Sequence, residues 1–311
     1  MRMADEAVER TMKHLWTSAL ALLVAGSAWA HGDHGTGSAK QAERQQSWWL
    51  DLVPRAAAAQ QMEIDESQGL RFVRADGLPN HATGHFPNRF NPNSIAAQRY
   101  YFRMPLKPAK AGRVAYYRPN HLFGVALNGV VFDPNTAEYW NDDRRSGWMI
   151  EALSGSRPLG IDQNNAHVQP DGSYHYHGVP TGLLDKLGGR GKPLMIGWAA
   201  DGFPIYFDET LRSSWRLKAA RDAGGPGGRP DGTYTLDYEY VRGLGELDEC
   251  NGRDGVTAEF PKGTYYYVVT AKFPYVPRCF VGTADASFVK QGGPHTRGGP
   301  GGGRPPPPLG R

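Results

Sequence analysis

From Gly69 onward the chain is built of short aromatic and β-branched runs, cut roughly every 8–15 residues by Gly, Pro, Asn or Asp. Clear examples are RVAYYRP (113–119), LFGVALNGVVFDP (122–134), YTLDYEYV (234–241) and TYYYVVTAKF (264–273). Such runs suit strands, because β-branched and aromatic side chains pack well on a pleated surface and the breakers between them favour turns. The expected fold is therefore mainly β: a β-sandwich-like or irregular multi-stranded antiparallel sheet domain with a few short helices and long loops. Asn128-Gly129 between apolar stretches predicts a two-residue hairpin turn. Helix is expected over 181–187, with Thr181 as its N-cap and a glycine stop at Gly188, and a second helix is suggested over 209–222. Short helical pieces broken at Pro54 are suggested over 40–64. GGRGK at 188–192 lacks the spacing of a phosphate-binding loop, and no GxSxG elbow or coiled-coil repeat is present.

The two ends read differently from this body. Lys13, the apolar run over 15–25 and Ala28-Trp29-Ala30 have the order of a secretory signal peptide, assigned to residues 1–30. The eleven residues before Met12 mix acids and bases, and a start at Met12 gives MKHLWTSALALLVAGSAWA. The apolar run is shorter than the roughly 20 residues a bilayer span needs. The mature chain is thus expected to be secreted or periplasmic, with no stable membrane span after cleavage. Residues 31–47 read as a flexible segment carrying His31, Asp33 and His34; after cleavage a free amino terminus on His31 could chelate copper, or the segment is a plain polar spacer. Residues 48–112 form the N-terminal part of the β-rich body, and 113–289 its main domain. Residues 290–311, almost all Gly, Pro and Arg, are expected to be disordered.

The net charge of +4 belongs to that tail. Lys290, Arg297, Arg304 and Arg311 supply it with no acid after Asp285, which leaves 31–289 near neutral and argues against a nucleic-acid partner. The chain's two cysteines, Cys250 and Cys279, are read as one disulfide outside the cytoplasm; the spacing does not suit a metal-thiolate half-site. Such a bridge is worth roughly 3.6 kcal/mol in the chain-entropy model.

Candidate chemistry gathers in NNAHVQPDGSYHYHG (164–178). Asp171-Gly172 turns the chain and a strand follows. Side chains alternate along a strand, so His175 and His177 share one face while Tyr174 and Tyr176 share the other. Same-face neighbours lie about 6.7 Å apart at Cα, from which two imidazoles can converge on one ion. His167, before the turn, can fold back beside them. The resulting His-x7-His-x-His set suits a transition metal ion such as Zn, Cu or Fe. The alternative is a half-exposed strand face with the tyrosines packed behind it.

The blocks HVQPDGSYHYHGVPTGLL (167–184), IGWAADGFPIY (196–206), LDECNGR (247–253) and GTYYYVVTAKFPYVPRCFVG (263–282) resemble, in the same order, the YHYH-domain family of secreted, mostly bacterial proteins. The resemblance runs from about Arg113 to Gly282 and implies that these blocks share one core or site; it implies no particular reaction. Phe207 stands where family members often have Gly after DGFPIY.

The remaining candidates follow from residue chemistry. Asp201, in the turn AADGF, reads as a fourth ligand, a group orienting a histidine, or a turn residue. Glu249, in the polar cluster 248–253, reads as a general base or part of a solvated turn. Together Asp201 and Glu249 are the catalytic candidates of a metal- or His/Asp-dependent hydrolase. Tyr265, Tyr266, Tyr267, Phe273 and Tyr275 read as packing or as a stacking face for a carbohydrate. Three functions stay open: a metal-binding β-domain, a secreted hydrolase, and a structural or small-molecule-binding surface module with no metal. Nothing in the sequence indicates an oligomeric state.

Overall fold

The computed structural model describes residues 61–65, 69–189 and 191–290. The signal-peptide and 31–47 assignments lie outside these, as do residues 291–311 of the C-terminal tail and the suggested helical stretch up to residue 60; residues 61–64, the end of that stretch, are strand rather than helix.

Strand is the dominant element, as the punctuated runs require. β1 (Gln61–Asp65), β2 (Leu70–Ala75) and β3 (Tyr100–Pro105) form an antiparallel three-stranded sheet. There follow β4 (Ala115–Tyr116), β5 (Gly124–Ala126), β6 (Val131–Phe132), β7 (Ala166–Val168) and β8 (Tyr174–Tyr176). The helix α1 (Thr181–Lys186) leads into β9 (Leu194–Ala199), β10 (Pro204–Phe207) and β11 (Trp215–Leu217). The last strands are β12 (Tyr238–Tyr240), β13 (Gly252–Gly255), β14 (Thr264–Val269) and β15 (Cys279–Phe280). Eight of them make the main sheet, in the order β13-β14-β10-β9-β5-β6-β8-β7. It is a mixed sheet: β10–β14 and β6–β8 pair in parallel and the other neighbours antiparallel. The pairs β11–β12 and β15–β4 stand apart from it.

The central strands β9, β10 and β14 are buried along nearly their whole length, which accounts for their continuous rather than alternating hydrophobicity. Gly124 and Gly197 let β5 and β9 lie close: a Cβ at Gly124 would sit 2.4 Å from the Trp198 carbonyl, and one at Gly197 2.4 Å from that of Val125. A single core cluster joins Val73, Phe102 and Met104 of the three-stranded sheet to Phe123, Ile196, Tyr267 and Phe280. Phe102 stacks on Phe288 at 4.3 Å and Phe123 on Phe280 at 4.9 Å. Cys250 and Cys279, both fully buried, are disulfide-bonded with Cα atoms 5.0 Å apart.

Three local expectations are corrected. The β5–β6 turn takes three residues, not two: Ala126 accepts from Gly129 N and donates to the Val130 carbonyl, and Gly129 is the left-handed residue (φ 83°). A two-residue type I′ turn would hold both Asn128 and Gly129 at positive φ, but only Gly129 takes that conformation, so the chain uses a three-residue turn closed by glycine. Thr181 is the first helical residue of α1 rather than its cap, and the helix stops at Gly188 and Gly189, both with positive φ. The stretch 209–222 contains strand β11, because Trp215 and Leu217 pair with Tyr240 and Tyr238 while Ser214 Oγ donates to the Leu247 carbonyl.

Candidate metal centre

The site is set by one hairpin. β7 and β8 pair antiparallel with His167 opposite His175, and the His177 N–H continues the ladder to the Asn165 carbonyl at 2.8 Å. The turn between them closes at Gly172 (φ 85°), whose backbone packs so tightly on Ala96 that a Cβ would approach it to 2.5 Å. Directly opposed residues share a face, as do residues two apart on one strand, so the three imidazoles converge.

His177 Nε2 lies 2.9 Å from His175 Nε2 and 3.2 Å from His167 Nε2. Two ligands at about 2.05 Å from one ion stand ~2.9 Å apart at a 90° angle and ~3.3 Å at a tetrahedral angle. The observed spacings fall at these values. One candidate ligand atom from each histidine lies within 4.8 Å of the other two. The outer nitrogens of two rings face backbone carbonyls: His167 Nδ1 that of Leu159 at 3.0 Å, and His175 Nδ1 that of Ser173 at 3.2 Å. A carbonyl only accepts, so these Nδ1 atoms carry the proton and the Nε2 lone pairs point inward, the arrangement usual for metal-bound histidine. His177 Nδ1 is buried with no partner among the described residues.

His175 and His177 are fully buried and His167 half-buried, so access is from the His167 side. Burial holds all three below the ordinary histidine pKa, His175 and His177 well below it, with the neighbouring imidazoles adding to the effect. The neutral, ligand-competent form is therefore favoured.

Several residues around the triad were not legible in the sequence. Asp133, at the end of β6, is 1% exposed; its N–H bonds to the Tyr176 carbonyl, and its carboxylate meets Lys290, Tyr117 and Gln169. Glu151 and Arg278 form a buried ion pair at 2.5 Å. The charges of Lys290 and Arg278 oppose protonation of His177. Only the parallel β6–β8 pairing brings Asp133 here, and no local pattern announces it.

The tyrosines occupy the opposite face, and each hydroxyl has a partner. Tyr174 donates to Asp162 at 2.7 Å and accepts from Asn164; Tyr176 meets His81 Nε2 at 2.5 Å and accepts from Asn128. His81 lines a cleft of about 470 Å³ with Asn164 and Asp185. A larger cleft of about 790 Å³ is walled by Asn165, Val179, Arg212, Trp215 and Tyr275, and reaches the residue whose carbonyl holds the His177 N–H.

Asp201 and Glu249 lie elsewhere in the bonding pattern. Asp201 accepts from Tyr267 Oη at 2.5 Å, Gly282 N at 2.9 Å and Phe203 N at 3.4 Å. Glu249 accepts from the Tyr116 hydroxyl at the surface. Neither carboxylate bonds to a triad imidazole. Tyr265, Tyr266, Tyr267 and Phe273 are buried, and Phe273 is stacked on Tyr238 at 3.8 Å, so these rings are occupied by packing. No helix among the described residues is long and apolar enough to cross a membrane.

No curated protein and no solved structure matches the chain. The family model described as "YHYH protein" does, over residues 101–282, more than half of the sequence, taking in the histidine hairpin, the Asp201 turn and the disulfide. The chain belongs to the YHYH protein family.

Proposed function

We propose that this YHYH protein works outside the cytoplasm, after loss of residues 1–30, and binds one transition metal ion through His167, His175 and His177. The observation that carries this reading is the 2.9 and 3.2 Å convergence of Nε2 atoms in rings oriented by backbone carbonyls. An all-imidazole set suits Zn, Cu or Fe rather than Ca or Mg, which take oxygen ligands. Three protein ligands leave a position for water or substrate, where a bound ion would act as a Lewis acid or lower the pKa of water. What this chain supplies is the rigid hairpin that fixes two tautomers, the burial that keeps the rings neutral, and an approach past His167. The reading assigns Asp201 and Glu249 no catalytic step, since their bonds go to Tyr267, Gly282, Phe203 and Tyr116.

Elemental analysis of protein purified without a histidine tag tests the proposal. About one ion per chain is expected, lost in His175→Ala/His177→Ala protein whose near-UV circular dichroism is retained. Metal-free wild-type protein that takes up no added Zn, Cu or Fe would overturn it. Amino-terminal sequencing of the exported protein checks the cleavage, with a start near His31 expected.

A further inference from the structure

Arg71, the second residue of β2, turns with Val73 toward the core face of the three-stranded sheet and is 6% exposed. Its guanidinium carbon sits 3.4 Å from the ring centroid of Trp198 on β9, a residue itself 8% exposed. A guanidinium has five N–H donors and no acceptor, and an indole has one donor and no acceptor. Among the described residues, Arg71 Nε and Nη1 and Trp198 Nε1 are buried without a hydrogen-bond partner, and no carboxylate pairs with Arg71. The other deeply placed arginines are paired: Arg221 with Asp237 and Asp231, Arg278 with Glu151. Stacking on the indole face offsets part of the cost of burying the charge, but guanidinium donors point outward in their own plane, and those on Nε and Nη1 stay free. Burial draws the Arg71 pKa down to about 10, which leaves it charged at neutral pH.

We propose that Arg71 and Trp198 form a binding site for a small carboxylate ligand. A donor-only pair calls for an acceptor, the buried positive charge calls for an anion, and a planar carboxylate offers two oxygens to the guanidinium fork with the indole N–H as a further donor. β2 precedes the family-matched residues 101–282 and β9 lies within them, so Arg71 is contributed from outside the matched region and Trp198 from inside it. The inference stands on different residues from the histidine triad and does not depend on it.

The test is unfolding of the full chain at fixed pH and ionic strength, with acetate replacing chloride, in wild type and Arg71→Met. Without acetate, Arg71→Met is expected to be at least as stable as wild type, because methionine fills the space with no charge to desolvate. Acetate at about 100 times its dissociation constant lowers the wild-type unfolding equilibrium constant ~100-fold and leaves Arg71→Met unchanged. Trp198→Phe, which keeps the ring and removes the N–H, responds more weakly than wild type. The proposal is overturned if acetate acts equally on wild type and Arg71→Met, or on neither. It is also overturned if a high-resolution crystal structure grown in acetate shows only water on Arg71 Nε, Arg71 Nη1 and Trp198 Nε1.

Discussion

Replacing Asp201 with alanine should act on stability rather than on the metal centre. The Asp201 carboxylate, 1% exposed, holds the β9–β10 turn to the segment after β15 through Tyr267 Oη and Gly282 N. Its removal leaves both donors buried and unpaired, at about 1–3 kcal/mol each, so Asp201→Ala should cost roughly 4 kcal/mol. The pH dependence gives a second reading. Burial is the main cause that pushes the Asp201 pKa up to about 6, against the hydrogen bonds from Tyr267 and Gly282, which act to lower it. The folded state then takes up a proton that the unfolded state, with a carboxylate pKa near 3.9, does not. The stabilisation of wild type over Asp201→Asn should therefore grow, by about 1 kcal/mol, as pH falls from 7 to 5. Urea unfolding followed by tryptophan fluorescence at the two pH values measures both quantities. A cost below about 1 kcal/mol for Asp201→Ala would refute the latch, since one unpaired buried donor alone costs that much. A pH trend of opposite sign would refute the protonation argument. Loss of metal with unchanged stability would return Asp201 to the site.

Two further outcomes follow from the same energetics. Arg278→Met strands the buried Glu151 charge and should cost roughly 3–5 kcal/mol, whereas Arg278→Met/Glu151→Leu should cost clearly less than the sum of its single changes; a double-mutant cycle by chemical denaturation checks the coupling. Cys250→Ser/Cys279→Ser opens a loop of sequence separation 29 and should lower stability by roughly 3–4 kcal/mol, and a loss below about 1 kcal/mol would contradict the chain-entropy account.

Much of the site was legible because its logic is local. The period of two along 174–177 separates histidines from tyrosines without knowledge of the fold, and Asp171-Gly172 announces the turn that folds His167 back. With two cysteines there is one pairing to consider, and the contact is made. What escaped the sequence is long-range. A parallel pairing of Val131 and Phe132 with His175 and Tyr176 leaves no trace in the residues between them, yet it delivers Asp133 beside the hairpin. Glu151 and Arg278 meet across 127 positions, and Arg71 reaches Trp198 from a different sheet. Over 209–222 the sequence suggests a helix, but the pairing of Trp215 with Tyr240 decides for strand. Even the tyrosines hold more than packing, since His81 and Asp162 come to their hydroxyls from outside the hairpin strands.

X-ray absorption at the metal edge, on metal-stripped protein given one equivalent of Zn at neutral pH, tests the central claim most directly. The convergent Nε2 atoms predict three imidazole nitrogens at about 2.0–2.1 Å, with the pattern lost in His175→Ala/His177→Ala. A shell of oxygen ligands alone, or an identical spectrum from the double variant, would contradict a triad that holds the ion.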